Sequence, residues 1–396
     1  MNKKQMMIGG MLMAMTTAFA GGNAWCAEEE RIPVDVVLDR VIDAGTYESL
    51  DYEEVNRQLS EKFDFWVGGC TAAATTVEDG DTIVGRNLDL YISDKPAFVC
   101  RTKVPGYYET IGVGYTNMSG ENFDTVAEKG VLEKNYVALP FLCNDVLNEK
   151  GLYCEINMRN GEFYPDGTNK FSCSGTNPDA EIRTSATIVP RLVCENCATV
   201  KEAVEYLQTI DFYTPKKPGF EWNFTYLLAD ATGDYGLVEI AENEISFLDK
   251  QQVQTNFYIT EKFAEKEEYM CGLGRYELVM NGIDDVQSEE DMFNLINQVT
   301  YYQANFPDEC QYDWRTENVG VKPYWTTDYV LDEANREEIL EVAQETADKL
   351  KSMTREEIEA ENHYWESALT TITNCNDKTM TVRFFEDDDR VYEMAF

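Results

Sequence analysis

The chain has 396 residues, a hydrophobic fraction of 43% with 12% aromatics, and a formal net charge of −40. That length and apolar content describe a folded protein with a sizeable core, in one large domain or two, and exclude a disordered chain. The charge argues against nucleic acid and against anionic membrane surfaces as partners, since both would repel it. At the N-terminus, Lys3 and Lys4 precede an apolar stretch of small residues from Met6 to Ala20 that ends in Ala18-Phe19-Ala20. This pattern predicts a secretory signal over residues 1–27, with a second cleavage position near Ala24-Trp25-Cys26 and export from the cell as the consequence. The run is short for a membrane anchor, and no later segment is long and apolar enough to span, so no stable membrane insertion is expected. Residues 28–69 are acidic, with Val36, Leu38, Val41 and Ile42 on an imperfect apolar stripe. They read as a partly helical propeptide; the alternative is a helical cap that stays attached.

Residues 70–396 form the expected main body. Its first twenty residues, from Cys70 to Asp89, carry the most information. Cys70 opens an apolar, β-branched run to Thr76, Asp79-Gly80 supplies a turn, and a second strand-like run ends in Gly85-Arg86-Asn87-Leu88-Asp89. A hairpin would bring Arg86 and Asp89 near Cys70, placing a thiol, a guanidinium and a carboxylate in one small volume. Gly68 and Gly69 stand immediately before the cysteine, which suits a nucleophile that becomes its own N-terminus. Further along, Thr199-x-x-Glu202 is a capping box opening a helix with Val200, Ala203, Val204 and Leu207 on one face. Strands are predicted at Thr225 to Asp230 and Gly236 to Ala241 around Thr232-Gly233-Asp234. Two more flank an Asn376-Asp377 turn, at Leu369 to Asn374 and Thr379 to Phe385. Helices are expected after Asn335 and after Thr354. Strand pairs with intervening helices give a mixed α+β class.

His363 is the single histidine, which excludes two-histidine zinc sites and His-Glu-x-x-His proteases. It sits beside a glutamate-rich helix and reads as a surface or packing residue. A cysteine nucleophile here needs another base, and its own α-amine, with a reference pKa of about 8, is the natural one. There are eleven cysteines. Cys194-Glu-Asn-Cys197 is a lone pair with no second pair at zinc spacing, so it reads as structural, and no cofactor or metal is expected.

Cys70-Thr71 followed by Gly85-Arg86-Asn87-Leu88-Asp89 resembles the start of the mature choloylglycine hydrolase family, the linear-amide C–N hydrolases. That family includes bile salt hydrolases and penicillin V acylases, and acid ceramidase and N-acylethanolamine acid amidase are related. Asn148-Glu149-Lys150-Gly151-Leu152, with Asn157 after it, resembles a second family block; Thr255-Asn256 and Gly274-Arg275-Tyr276 resemble a third and fourth. Gly274 stands where a serine is common, and the stretch between Asn256 and Arg275 is shorter than in bile salt hydrolases. The resemblance implies a four-layer αββα N-terminal-nucleophile fold, with two antiparallel sheets between helical layers. It implies Cys70 as nucleophile, Asp89 holding the α-amine, Asn157 and Asn256 as oxyanion donors, and Arg275 beside the nucleophile. Arg86 would favour the thiolate. It also implies self-cleavage before Cys70 and a small-molecule amide substrate with an apolar acyl group. Conjugated bile salts, fatty-acid amides and penicillin V all stay open as that substrate. Leu90, Tyr91, Ile92, Phe98 and Tyr107-Tyr108 are either pocket or core. A secreted, non-catalytic binding protein for apolar amides on the same fold is the alternative from another class.

Overall fold

In the computed structural model, the described residues are 32–38, 41–62, 68–91, 97–115, 123–132, 137–159, 164, 168–214, 216–217, 220–221, 223–267, 272–299, 365–384 and 387–396. The predicted signal, His363, Ile92 and the helices expected after Asn335 and Thr354 lie outside the described residues.

The strands of the two large sheets, in chain order, are β1 (Asp35–Leu38), β2 (Val41–Tyr47), β3 (Gly68–Thr76), β4 (Thr82–Tyr91), β5 (Ala97–Thr102), β6 (Thr110–Tyr115), β7 (Cys143–Asn148), β8 (Tyr153–Glu155), β9 (Asn157–Arg159), β10 (Asn223–Ala229), β11 (Tyr235–Ala241), β12 (Glu244–Asp249), β13 (Val253–Gln254), β14 (Trp365–Asn374), β15 (Thr379–Phe384) and β16 (Asp387–Ala395). The helices that matter here are α1 (Tyr52–Lys62), α2 (Val189–Asn196), α3 (Val200–Leu207), α4 (Leu273–Gly282) and α5 (Glu289–Asn297). A ten-stranded sheet runs β12-β11-β10-β8-β7-β6-β5-β2-β1, with β9 also paired to β10; a six-stranded sheet runs β13-β3-β4-β14-β15-β16.

Period-2 alternation sorts each strand's side chains between two faces, and both faces of both sheets are covered. Ala72, Ala74, Val84, Leu88 and Leu369 of the smaller sheet meet Val99, Val113, Leu147 and Leu227 of the larger one, forming the inner core. The intervening positions Ala73, Ile83 and Ile372 face outward, onto Val279, Met292 and Ile296 of α4 and α5. On the other side, Leu192, Val193, Val200, Ala203 and Leu207 of α2 and α3 cover Val146, Cys154, Tyr226 and Val238. Two sheets between two helical layers is the four-layer αββα arrangement. The Thr199 cap is present, its Oγ1 accepting the Glu202 N–H at 3.2 Å, while Glu202 returns a carboxylate oxygen to the Ala198 N–H at 2.8 Å, one residue ahead of the N–H a capping box would use. The predicted strand pairs around Thr232-Gly233 and Asn376-Asp377 are β10/β11 and β14/β15. Phe98 is fully buried in the helix-side core, so it is packing and not pocket.

The segment ahead of Cys70 departs from the sequence expectation. Val36, Leu38, Val41 and Ile42 lie on strands, not on a helix; the helix comes later, as α1. β2 pairs with β5 in parallel, Val41 against Ala97 and Ile42 against Phe98, so the larger sheet is not wholly antiparallel. A parallel neighbour needs a long crossover, and here the whole β3–β4 hairpin of the other sheet intervenes. Val41, Ile42 and Val55 are fully buried and Leu59 nearly so, each worth about 1.5–3 kcal/mol of burial. Tyr52 also donates from its hydroxyl to Glu195 Oε2 of α2 at 3.3 Å. If the chain is cut before Cys70, the upstream piece is expected to stay bound. Gel filtration of cut protein checks this: both pieces co-elute in buffer and separate only in denaturant. Elution of the larger piece alone in buffer would contradict the expectation.

Candidate active site

β3 and β4 form the predicted hairpin, with Cys70 opposite Leu88, Ala72 opposite Arg86 and Gly69 opposite Asp89. Gly80, at φ +100°, makes its turn. The backbone and the thiol of Cys70 are engaged separately. Its N–H donates to Asn256 Oδ1 at 3.0 Å, its carbonyl accepts from Arg275 Nη1 at 2.7 Å, and Sγ faces Arg86 Nη2 at 3.3 Å. Arg275 is placed by the first turn of α4 and also donates to Thr71 Oγ1 at 2.9 Å and Asn256 Oδ1 at 2.8 Å. Gly272, just before that helix, has φ +86°, and a Cβ there would sit 2.7 Å from Thr255.

Arg86 and Asp89 are three residues apart, so the pleat sends them to opposite faces of β4. The single shared volume expected from the sequence is therefore two volumes, one on each side of Cys70. Arg86 lies between the sheets with the sulfur. Asp89 lies on the helix side with Arg275, whose Nη1 is 3.7 Å from Asp89 Oδ2. Ser367 of β14 donates its hydroxyl to Asp89 Oδ1, while the buried Oδ2 has no hydrogen-bond partner. A Cβ on Gly69 would lie 3.2 Å from that Oδ2, so glycine leaves the carboxylate close to the Gly69–Cys70 linkage. Burial raises Asp89 to about 6, against the opposing pull of Arg275 and the Ser367 hydroxyl. Burial likewise pushes the Cys70 thiol up to about 12; Arg86 pulls it down, while Asp89 and Glu155 add to the rise. At neutral pH the uncut chain thus holds a protonated thiol, which needs a base to react.

Asn157 and Asn256 stitch β9 to the end of β13. Asn157 Nδ2 donates to the Thr255 carbonyl at 3.3 Å, and Asn256 Nδ2 donates to the Met158 carbonyl at 2.7 Å. Each amide nitrogen carries a second N–H beyond the one used here. Asn148 belongs to the frame: Oδ1 accepts the N–H groups of Lys150 and Leu152, and Nδ2 donates to the carbonyls of Cys194 and Cys197, both at 2.7 Å. The eight described cysteines are all buried. Among the described residues no cluster of three or more His, Cys, Asp or Glu is arranged to hold a metal, and no helix is long and apolar enough to cross a membrane.

Sequence reasoning missed what lies behind Arg86. Its Nη1 donates to Asp145 Oδ2 at 2.7 Å, its Nε to Glu155 Oε2 at 3.0 Å, and its Nη2 also to the Ile156 carbonyl at 2.9 Å. Asp145 lies three residues before the Asn148 block and Glu155 three after it, so adjacency to a recognised block was the one signal available. Ser367 gave none, because it reaches the site from a strand 278 residues away from Asp89 in sequence.

The hairpin thus puts a cysteine on an inner strand of an αββα sandwich, with its nitrogen and its sulfur held by separate groups. The sequence profile of the acyl-coenzyme A:6-aminopenicillanic acid acyl-transferase family matches residues 76–319, and the chain belongs to that family. Arg86, Asp89, Asn157, Asn256 and Arg275 fall inside the matched stretch; Cys70 stands just before it. No curated protein sequence matches the chain. Similar solved structures include two single-substitution variants of conjugated bile acid hydrolase from Clostridium perfringens. Each has 15% identity and a TM-score of 0.43, over 82% of this chain and 92% of that one. Penicillin V acylase from Agrobacterium tumefaciens is also similar, with 14% identity and a TM-score of 0.40 over 82% and 86% of the two chains.

Proposed function

We propose that the protein is an exported amide hydrolase that works through Cys70 after the Gly69–Cys70 bond has been cut. The observation that carries this reading is the division of labour around Cys70. Arg86 sits on the sulfur, Asn256 on the nitrogen, and an Asp89 oxygen that accepts no hydrogen bond lies near Gly69. Cleavage would follow from attack of Sγ on the Gly69 carbonyl. The C–N bond breaks as the Cys70 nitrogen takes a proton, and water then hydrolyses the thioester to free the Gly69 carboxylate. The new amine gains N–H groups that an amide lacks; one would keep Asn256 Oδ1, and another has Asp89 Oδ2 to meet.

In turnover the free amine takes the thiol proton, Sγ attacks the substrate carbonyl, and the amine protonates the leaving nitrogen. The second N–H of Asn157 and of Asn256 would receive the oxyanion, each worth about 3 kcal/mol. The thioester is then resolved by water. The substrate is an N-acyl amide with an apolar acyl group and a small polar amine. A panel of fatty-acyl ethanolamides, glycine- and taurine-conjugated bile salts and penicillin V, followed by release of free amine, tests this reading. No release from any of them by protein beginning at Cys70 would sink the hydrolase reading. Formation of a new amide when a second amine is supplied would instead make the protein an acyl-transferase, the activity for which the family profile is named.

A further inference from the structure

Two carboxylates converge on the single guanidinium behind the Cys70 sulfur, and they are not equivalent. Arg86, Asp145 and Glu155 are all fully buried. Asp145 accepts from three groups: Arg86 Nη1 at 2.7 Å, Thr371 Oγ1 at 3.0 Å, and the Tyr153 hydroxyl. Glu155 accepts from two, Arg86 Nε at 3.0 Å and the Leu227 N–H at 3.1 Å. Were both ionised, the group would be net negative in a dry interior, next to the place where a thiolate must form. Glu155 thus has one donor fewer than Asp145 to offset the burial of its charge.

We propose that Glu155 is a positioning residue for the Cys70–Arg86 pair: it fixes the guanidinium edge turned toward the sulfur, and by staying neutral it keeps the group behind that sulfur from becoming net negative. This rests on the proposed nucleophilic role of Cys70. Geometry supports the first half, because Glu155 holds Nε and Asp145 holds Nη1, which leaves Nη2 for the sulfur and the Ile156 carbonyl. Burial, reinforced by Asp145, raises Glu155 to about 8, even with Arg86 and the Leu227 N–H opposing. The charged and titratable groups around it are Arg86 and Cys70 on β4 and β3, Asp145 on β7, and Tyr153 and Cys154 on β8. Asp89 and Arg275 lie on the far side of Cys70. As pH rises through about 8, Glu155 would ionise and its charge would oppose the thiolate.

The test uses the processed protein, with its N-terminus checked by intact mass, and compares wild type with Glu155→Gln and Glu155→Ala. Two readouts are taken across pH 6–10: amide cleavage, and alkylation of Cys70 by iodoacetamide followed on its N-terminal peptide. Wild type is expected to lose activity above about pH 8, the range in which Glu155 ionises. Glu155→Gln is expected to lose that alkaline decline, and its alkylation midpoint is expected to fall by about one pH unit. Glu155→Ala leaves Arg86 Nε without its acceptor and is expected to slow cleavage at least tenfold at every pH. An unchanged alkaline decline and alkylation midpoint in Glu155→Gln would overturn the proposal, as would a wild-type rate in Glu155→Ala. If Cys70 is free at the N-terminus but no amide is cleaved, the hydrolase reading fails while the alkylation curves still decide the role of Glu155. If Glu155→Gln does not process, the uncut chains of wild type and variant are compared by their alkylation rates at pH 10, below the midpoint of a thiol pushed up to about 12; a several-fold faster variant supports the proposal and an equal rate overturns it.

Discussion

Cys70→Ala is expected to yield a folded chain that keeps the 28–69 segment upstream of residue 70 and cleaves no amide. Alanine at this position is nearly isosteric with cysteine in a β-strand. The loss therefore falls on chemistry, because the site has lost the atom that attacks both the Gly69 carbonyl and the substrate. For nucleophiles acting as one unit with their base, such removal costs on the order of 10⁴–10⁶-fold in kcat. Intact mass of the two purified proteins, side by side, measures the first half. Wild type beginning at Cys70 with an uncut variant supports self-processing. A cut variant assigns the cleavage to an outside protease and leaves the hydrolase mechanism standing. If both proteins keep residues before Cys70, no α-amine is available as base, and the binding-protein reading takes the lead.

Arg86→Leu is expected to be the most destabilising single change in the site. Arg86 is fully buried and donates to two buried carboxylates, a backbone carbonyl and the thiol. Removing the cation leaves Asp145 and Glu155 facing each other without it, and breaking a buried ion pair from one side costs about 3–5 kcal/mol. Arg86→Lys keeps the charge but not the planar fork, so it recovers only part of the loss. The check is denaturant unfolding of Arg86→Leu against the triple variant Arg86→Leu/Asp145→Asn/Glu155→Gln. The Asp145→Asn and Glu155→Gln changes are expected to restore much of the lost stability, because the penalty is a buried charge and hydrogen-bond acceptors left without Arg86, and not lost packing. An Arg86→Leu protein that unfolds at the wild-type denaturant concentration would refute this account of the network.

Much of the site was legible because its parts are local. The Cys70–Asp89 stretch is a hairpin whose turn, strand lengths and small residues are all written in twenty consecutive positions, and a hairpin fixes its own register. The Thr199–Glu202 cap and the β10/β11 and β14/β15 turns are local for the same reason. The upstream segment was misread because a short acidic stretch with four apolar residues fits either a helix or two edge strands. What decided it was the free edge of β5, to which Val41 and Ile42 pair, and that edge is some fifty residues further along.

The sequence by itself determined the candidate nucleophile, the two glycines before it, the arginine and carboxylate of the hairpin, and the absence of a second histidine. Only the tertiary structure decided on which side of Cys70 each partner stands. Arg86 is set against the sulfur between the sheets. Asp89, Ser367 and Arg275 are set against the backbone on the helix side, and Asp145 and Glu155 behind Arg86. The physical reason is that the pleat gives each residue a face, but what covers that face comes from other strands and helices. Those pairings form only when the two sheets stack, and no spacing along the chain encodes them.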